Sequence, residues 1–321
     1  MSNVKKQRKP INQLKTIFLM ALLCAMFVPG LKANAAVRQT GISKTNLTVS
    51  WDAVSEPLNY KIYIGTNYND MKQWGGVLPT NQLSKTITGL QEGKEYRVEV
   101  RYDYQGYSEV RESSAGYISS AKTLPGKVTG INQEKWWHFI LSVDVKWNQI
   151  DSATGYEYII KDNKGKTVKT EVKKYNSPSA SCSIKNTIIY TIQVRAYTEL
   201  NNKTYWGEWS NTAYLFDQPH VSDKATPKVS KGKLIVKWPK VNGATGYDVF
   251  VSTKPRTGYK KVASVKANKT SATVSKFNKK KFSAKKKYYV YVSAKKKVGK
   301  TTYNSGRLYF WNTKDGSTQY F

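Results

Sequence analysis

Apolar and polar residues alternate along three stretches of the chain, and each stretch begins at a tyrosine. After Tyr96, Tyr190 and Tyr288 the apolar residues fall on every second position. A period of two is typical of a strand with one buried face, and no stretch beyond residue 35 shows a sustained helical period. Gly, Asn, Pro and Ser interrupt the sequence roughly every ten residues, which favours short strands joined by turns. The pattern therefore predicts an all-β protein.

The strand pattern belongs to a unit that is repeated three times. In each copy a tryptophan is followed nine positions later by a tyrosine, and further on an apolar residue precedes a second tyrosine by six positions. The first pairs are Trp51 with Tyr60, Trp147 with Tyr156, and Trp238 with Tyr247. The second pairs are Leu90 with Tyr96, Ile184 with Tyr190, and Phe282 with Tyr288. Self-similarity at a fixed period indicates an array of similar domains.

These spacings resemble those of fibronectin type III domains. The resemblance implies β-sandwiches with a core tryptophan and with a tyrosine corner, in which a tyrosine hydroxyl group turns back to the backbone. The structural core residues that it implies are Trp51, Trp147, Trp238, Tyr96, Tyr190 and Tyr288. We expect three tandem fibronectin type III-like β-sandwiches after a signal peptide, at residues 36–124, 125–217 and 218–321. The tandem arrangement is similar to that of secreted or surface proteins of Gram-positive bacteria.

The first 35 residues have the order of a secretory signal peptide. A basic start is followed by the apolar run Thr16–Val28, which is shorter than the roughly 20 residues of a membrane-spanning helix. Ala33 and Ala35 then provide the small residues that precede a cleavage site. We expect cleavage after Ala35 and a secreted or extracellular protein, with an uncleaved membrane anchor as the alternative. The mature chain would then contain no membrane-spanning segment, and Cys182 would be its only cysteine.

Composition argues against an enzyme. Two His and two Cys leave little material for a transition-metal site or a Cys–His catalytic pair. The repeats also leave no room for a separate catalytic domain. We therefore expect no catalytic residues, no metal and no cofactor. Cys182 shares strand parity with Ala180, so we expect it to be a buried and unreactive thiol.

The positive charge is concentrated in the last third of the chain. The net charge is +32, and residues 218–321 hold 25 Lys and Arg against 3 Asp and Glu. In the fibronectin type III arrangement, the C–C′ and E–F loops lie at the end where the chain leaves the domain. The basic residues expected in or beside these two loops are Lys254, Arg256, Lys260, Lys261, Lys279, Lys280, Lys281, Lys285, Lys286 and Lys287. We expect Lys295, Lys296, Lys297 and Lys300 in the F–G loop at the opposite end.

This charge suggests the class of partner. We expect a non-enzymatic binding or adhesion protein whose basic third domain binds an anionic polymer: teichoic acid, an acidic glycan or extracellular DNA. Lysine dominates over arginine and no nucleic-acid-binding fold is recognised, so sequence-specific nucleic-acid recognition is not expected. Charge would also hold the protein at the cell surface. One alternative is a lysine-rich surface that only keeps the protein soluble. Another is a structural spacer or assembly protein that binds a protein partner through loops or strand edges; the oligomeric state stays open.

Aromatic residues give two further candidates. Trp136, Trp74 and Trp311 have no place in the repeated core pattern, so they could stack on sugar rings or pack between domains. The segment Trp206–Ser210 resembles the W-S-x-W-S box of cytokine receptors, although Gly207 departs from that pattern. There, arginine side chains stack between the tryptophan rings. Arg195 is placed to do the same here, in a structural role.

Overall fold

A computed structural model describes residues 36–137, 142–183, 185, 187–219 and 227–321. This part of the chain forms strands and one short 3-10 helix, Tyr68–Asp70, and contains no α-helix. None of its helices has the length and apolar character needed to cross a membrane. The predicted signal peptide lies outside the described residues.

The contacts divide the described chain into two compact units. The first comprises residues 36–39, 48–85 and 96–120, and the second comprises Thr40–Leu47, Thr86–Glu95 and Ala121–Phe321. The strands, in contrast, repeat three times. Every set of hydrogen-bonded strands lies within one of the three predicted spans, although the domain boundaries themselves stay a prediction.

Residues 36–124 form a three-stranded and a four-stranded sheet. The three-stranded sheet has the order β1-β2-β5, and the four-stranded sheet has the order β4-β3-β6-β7. The strands are β1 (Val37–Ile42), β2 (Leu47–Trp51), β3 (Asn59–Gly65), β4 (Lys72–Leu78), β5 (Ser84–Ile87), β6 (Glu95–Gln105) and β7 (Val110–Lys122).

Residues 125–217 repeat this pattern. The small sheet has the order β12-β9-β8, and the large sheet has the order β11-β10-β13-β14, with β15 also paired to β13. The strands are β8 (Asn132–Trp137), β9 (Ser142–Lys146), β10 (Gly155–Lys161), β11 (Thr167–Lys173), β12 (Ser179–Ser183), β13 (Tyr190–Leu200), β14 (Lys203–Trp206) and β15 (Ala213–Leu215).

Residues 218–321 repeat it once more and add two hairpins. The small sheet is β16-β17-β20, and the large sheet is β19-β18-β23-β25-β26, with β24 also paired to β23. A separate hairpin joins β21 and β22. The strands are β16 (Lys228–Ser230), β17 (Lys233–Lys237), β18 (Gly246–Ser252), β19 (Lys260–Lys266), β20 (Ser271–Val274), β21 (Lys276–Phe277), β22 (Lys280–Lys281), β23 (Tyr289–Val298), β24 (Thr301–Asn304), β25 (Tyr309–Asn312) and β26 (Thr318–Tyr320).

The strand order is that of the fibronectin type III sandwich. In each repeat the first, second and fifth principal strands form one sheet, and the remaining strands form the other, as in the A-B-E and C′-C-F-G sheets of that fold. The prediction of an all-β chain of fibronectin type III-like sandwiches is confirmed. The period-two alternation explains the layers, because one face of each strand is buried between the two sheets.

A tryptophan–tyrosine contact recurs in each repeat. The ring centroids of Trp51 and Tyr60 lie 5.5 Å apart, and the corresponding distances in the other two repeats are 5.3 Å and 5.4 Å. The hydroxyl oxygen of this tyrosine accepts a hydrogen bond from the backbone N–H six residues earlier, at 2.8–3.1 Å. The three tryptophans are buried. The second tyrosine of the repeated pattern makes a similar hydrogen bond. The hydroxyl oxygens of Tyr190 and Tyr288 accept from backbone N–H groups five residues earlier in the chain.

Candidate anion-binding end

The segment between the E and F strands is longest in the last repeat. Seven residues separate β5 from β6 and six separate β12 from β13, but 14 separate β20 from β23. Half of these 14 residues are lysines. The extra length therefore carries most of the lysines that the sequence places at this end.

Two phenylalanines anchor this segment. Phe277 and Phe282 are buried and pack beside Tyr288, with Phe282 4.9 Å from its ring. The lysines between them form the exposed β21–β22 hairpin. Its tip has positive φ angles at Asn278 (48°) and Lys279 (67°), as in a two-residue hairpin turn of type I′. Buried rings on one side and lysines on the other fix where these charges lie.

Hydrogen bonds bring three loops to the same end of the sandwich. The N–H of Phe282 donates to the carbonyl oxygen of Gly232 at 3.1 Å, which joins the hairpin to the β16–β17 turn. The Nζ of Lys260 donates to Oδ1 of Asn278 at 3.0 Å, which joins the hairpin to the start of β19. Lys231 in the β16–β17 turn is thus a further basic residue at this end, which the sequence analysis missed. Its φ of 47° indicates another tight turn. In the sequence, the signal for this turn was the glycine that follows it, Gly232.

All ten predicted basic residues are exposed. We call them, together with Lys231, the basic end; it comprises Lys231, Lys254, Arg256, Lys260, Lys261, Lys279, Lys280, Lys281, Lys285, Lys286 and Lys287. Within the described residues, Lys261 has an acidic side chain within 4.0 Å, namely that of Asp248 at 3.7 Å, and the other ten have none.

Asp315 is the second described acid of the last repeat, and its oxygens are already engaged. They accept hydrogen bonds from the Asn312 amide at 2.7 Å and from the Ser317 N–H at 2.8 Å. Bonds to Ser317 hold the pKa of this carboxyl group below its ordinary value, and Lys287 adds to the effect. The charge of the basic end is therefore only slightly compensated from within the protein.

The remaining lysine run lies on strands rather than in a loop. Lys295, Lys296 and Lys297 belong to β23, which pairs with β24, so their expected position in the F–G loop is wrong. Lys300 lies in the turn between those strands. The strand continues because Thr301–Asn304 supplies a partner for it.

The aromatic candidates have different positions. Trp311 is 1% exposed and its ring packs 5.1 Å from that of Tyr309. Because Trp311 pairs with inward-facing Val290, it is a core residue, and the expectation of a surface platform for sugars is wrong for it. Trp74 is half-buried on β4, opposite Ile62. Trp136 pairs with Val143 on the neighbouring strand, and its side chain lies outside the described residues.

The tryptophan–arginine stack is present. The guanidinium carbon of Arg195 lies 4.2 Å from the ring centre of Trp206 and 4.6 Å from that of Trp209. The same guanidinium group pairs with Glu157 at 2.6 Å. Cys182 is buried as predicted, and burial raises the pKa of its thiol. Among the residues that the structure describes, no group of three or more His, Cys, Asp or Glu is arranged to hold a metal ion.

The junction segment lies at the predicted boundary between the second and third repeats. Asp217, Gln218 and Pro219 are buried. The side chain of Gln218 donates to the carbonyl oxygen of Tyr309 at 2.8 Å and accepts from the N–H of Leu308 at 2.8 Å. These bonds fix the junction segment to the edge of β25.

Comparison with known proteins gives structural likeness alone. No protein-family model matches the sequence, and no curated protein matches it either. The chain is similar to the solved FN1–FN3 domains of chicken CNTN1, with 15% identity, 84% of this chain and 96% of that chain covered, and a TM-score of 0.34. It is also similar to a two-domain fibronectin type III segment of chicken tenascin, with 14% identity, 56% and 97% covered, and a TM-score of 0.30.

Proposed function

We propose that this chain is a non-enzymatic binding protein that attaches to an anionic polymer through the basic end. One observation carries the proposal: the E–F segment of the last repeat is lengthened, anchored by Phe277 and Phe282, and lined with lysines that have little acidic compensation. Lysines that serve only solubility could be spread over the surface. They would not need to be gathered at one end of the domain in a segment held by two buried phenylalanines. A net of +22 on residues 218–321 also opposes compactness by self-repulsion.

The ligand class follows from the kind of charge. Lysine is a compact point charge that attracts phosphate, sulfate and carboxylate groups without the paired geometry of arginine. The proposal covers teichoic acid, acidic glycans and extracellular DNA bound without sequence preference. The order of basic, apolar and small residues at the N-terminus supports export. In an exported protein, the basic end would retain the chain at the cell surface, and the first two repeats would act as a spacer or present a second face.

The experiment compares two variants of the full chain that lose the same charge. One carries Lys285→Gln, Lys286→Gln and Lys287→Gln, and the control carries Lys72→Gln, Lys164→Gln and Lys166→Gln at exposed positions of the first two repeats. Binding to heparin, to duplex DNA and to cell wall with and without teichoic acid is measured from low to high salt.

We expect the first variant to bind more weakly and with a shallower salt dependence, because fewer counterions are released. On DNA the slope should fall by about 0.9 per lost phosphate contact. The control should stay close to the unmodified chain. Loss of binding on walls without teichoic acid would identify that polymer, whereas equal binding to all baits would identify a general polyanion site. Equal behaviour of the two variants would contradict the proposal.

A second candidate function is supported by β26. This strand ends the order β19-β18-β23-β25-β26, so it has one strand neighbour among the described residues, and all three of its side chains are exposed. An exposed edge can receive a strand of a protein partner. The N–H of Thr318 points to the outer side of β26, because its neighbours Ser317 and Gln319 belong to the pairs that bond to β25. Association with cells that survives loss of the basic end but is lost with Thr318→Pro would favour this assembly role.

A further inference from the structure

A second group of lysines, none of which belongs to the basic end, surrounds an open groove. The groove has a volume of about 340 Å³ and lies over Gly246 at the start of β18. The cross-strand neighbours of Gly246 are Lys266 on β19 and Lys295 on β23. Three lysines and three hydroxyl residues line the groove: Thr245, Ser264, Lys266, Lys295, Lys297 and Thr302. It faces away from the core, because Tyr247 and Val249 occupy the inward positions of β18.

The glycine keeps the groove open. A Cβ atom at position 246 would lie 2.7 Å from the carbonyl oxygen of Val265 and 3.5 Å from Cε of Lys295. A side chain there would collide with β19 and occupy the space between the two lysines. The absence of a side chain therefore produces a concave floor between positive walls.

The preceding repeat has a glycine at the same place, but there a tyrosine ring lies over it. Gly155 starts β10 and pairs with Tyr197, as Gly246 pairs with Lys295. The Tyr197 ring covers this glycine, since a Cβ at position 155 would lie 2.7 Å from its hydroxyl oxygen. Tyr197 is only 2% exposed and packs 4.9 Å from Trp206. At equivalent positions, Tyr197 covers the glycine of the second repeat, whereas Lys295 leaves the glycine of the third repeat uncovered and adds a positive charge beside it.

Two of the lysines are available to a ligand. Lys295 donates to Oδ1 of Asp248 at 2.7 Å, and Ser264 bonds to the same oxygen. Burial raises the pKa of Asp248, but these bonds outweigh it and the pKa is lowered overall, so the carboxylate is charged. Lys266 and Lys297 have no acidic side chain within 4.0 Å among the described residues. The groove keeps a net positive charge.

Local hydrogen bonds hold the wall in place. The hydroxyl group of Thr245 accepts from the N–H of Lys297 at 2.9 Å and donates to the carbonyl oxygen of Lys295 at 3.2 Å. Thr302 is the cross-strand partner of Lys297, so its hydroxyl group lies on the same face. The ammonium groups of Lys266 and Lys297 and this hydroxyl group form a set of donors around one hollow.

We propose that this groove binds a single phosphate or sulfate group of an anionic polymer, together with the sugar or polyol unit that carries it. The volume lies at the lower end of the range for small-molecule sites, about 300–1,000 Å³, and exceeds the needs of a bare ion. Converging ammonium and hydroxyl donors suit a tetrahedral oxyanion. The inference rests on the proposed function only for the polymer, because none of its residues belongs to the basic end.

The test uses the full chain and small probes that cannot bridge the two sites. Glycerol 3-phosphate, glucosamine 6-sulfate and acetate are titrated while the amide signal of Gly246 is followed by nuclear magnetic resonance. One variant carries Lys266→Gln and Lys297→Gln, and another carries Lys295→Tyr, which copies the lid of the preceding repeat. The matched control carries Lys285→Gln and Lys286→Gln.

We expect saturable shifts of the Gly246 signal with the phosphate probe, the sulfate probe or both, and none with acetate. The probe that saturates identifies the group. The double variant should weaken binding by about tenfold or more, and Lys295→Tyr should abolish it, while the control should bind as the unmodified chain does. If Lys295→Tyr does not fold, the double variant decides. A shift that does not saturate, or equal weakening in the control, would overturn the proposal. The proposed function has its own readout, which is retention on heparin. If the substitutions at the basic end reduce that retention and those in the groove do not, the proposed function is supported even when the groove proposal fails.

Discussion

The carboxyl group of Asp217 should make stability fall as the pH rises from about 3.8 to about 7. It is 0% exposed in the junction segment, and its Oδ1 accepts the N–H of Gln218 at 2.6 Å. Burial raises its pKa from 3.8 to about 7, against the opposing effect of that hydrogen bond. The folded state therefore holds a proton that the unfolded state releases between about pH 3.8 and 7.

The substitution Asp217→Asn removes this titration and keeps an oxygen that can accept from Gln218. A pKa near 7 against 3.8 corresponds to a stability loss of about 4 kcal/mol in the parent chain between low and neutral pH. This contribution is complete below about pH 3.8 and is lost above about pH 7. Local opening that hydrates the carboxylate would reduce the loss, so the value is an upper limit. The variant should match the parent chain near pH 4 and be more stable at pH 8.

The measurement is unfolding in urea, followed by tryptophan fluorescence at several pH values from 4 to 8.5. All other titrating groups are common to both chains, so the difference between their unfolding free energies isolates Asp217. The transition that contains residues 125–321 should carry the difference. A constant gap over the whole pH range, or a variant that loses stability at pH 8, would refute the burial argument.

Three further predictions concern single positions. Arg195→Ala should lower the free energy of unfolding by about 1–3 kcal/mol, because the stack on Trp206 and Trp209 and the ion pair with Glu157 are lost. Arg195→Lys should restore little of this stability, and thermal unfolding of the variants measures both effects. Lys279→Gly should raise stability by about 1 kcal/mol, because glycine adopts the φ of 67° at this position without steric cost. Lys280→Gly on the adjoining strand should lower stability, and urea midpoints that shift in the same direction for both variants would contradict this. Cys182 should react with a thiol reagent only after unfolding, measured in a chain that carries Cys24→Ser, and rapid native reaction would show that the site opens.

The core could be predicted from sequence because its signals are local and repeated. Trp51 and Tyr60 stand at a fixed spacing that a strand, a turn and a strand impose, and the same spacing recurs at Trp147 and Trp238. The buried thiol of Cys182 followed from strand parity in the same way. Three copies of one pattern make chance agreement improbable, and the alternating residues then assign the faces of each strand.

Trp311 was misjudged because it lies in an apolar run, Tyr309–Phe310–Trp311, where parity gives no answer. Both faces of β25 are covered: Trp311 points to the core, while Phe310 packs against Tyr289 and Phe321 on the other side. That outer cover depends on residues far along the chain, including the last one. A strand buried on both faces loses the period-two signal, so the inward side could be recognised only from its pairing with Val290.

The groove over Gly246 depends on the pairing register of the strands, which a count of charged residues does not contain. From the sequence, Lys295 and Lys297 are expected in a loop, where they would be two more solvated charges. Pairing with β24 instead places them on one face of a sheet, beside Lys266 and above a residue with no side chain. The same residues in a loop would lose side-chain and backbone entropy on binding, whereas on paired strands the backbone is already ordered. In the proposed site, fixed spacing between the charges, rather than their number, would allow the last repeat to distinguish one anionic group from another.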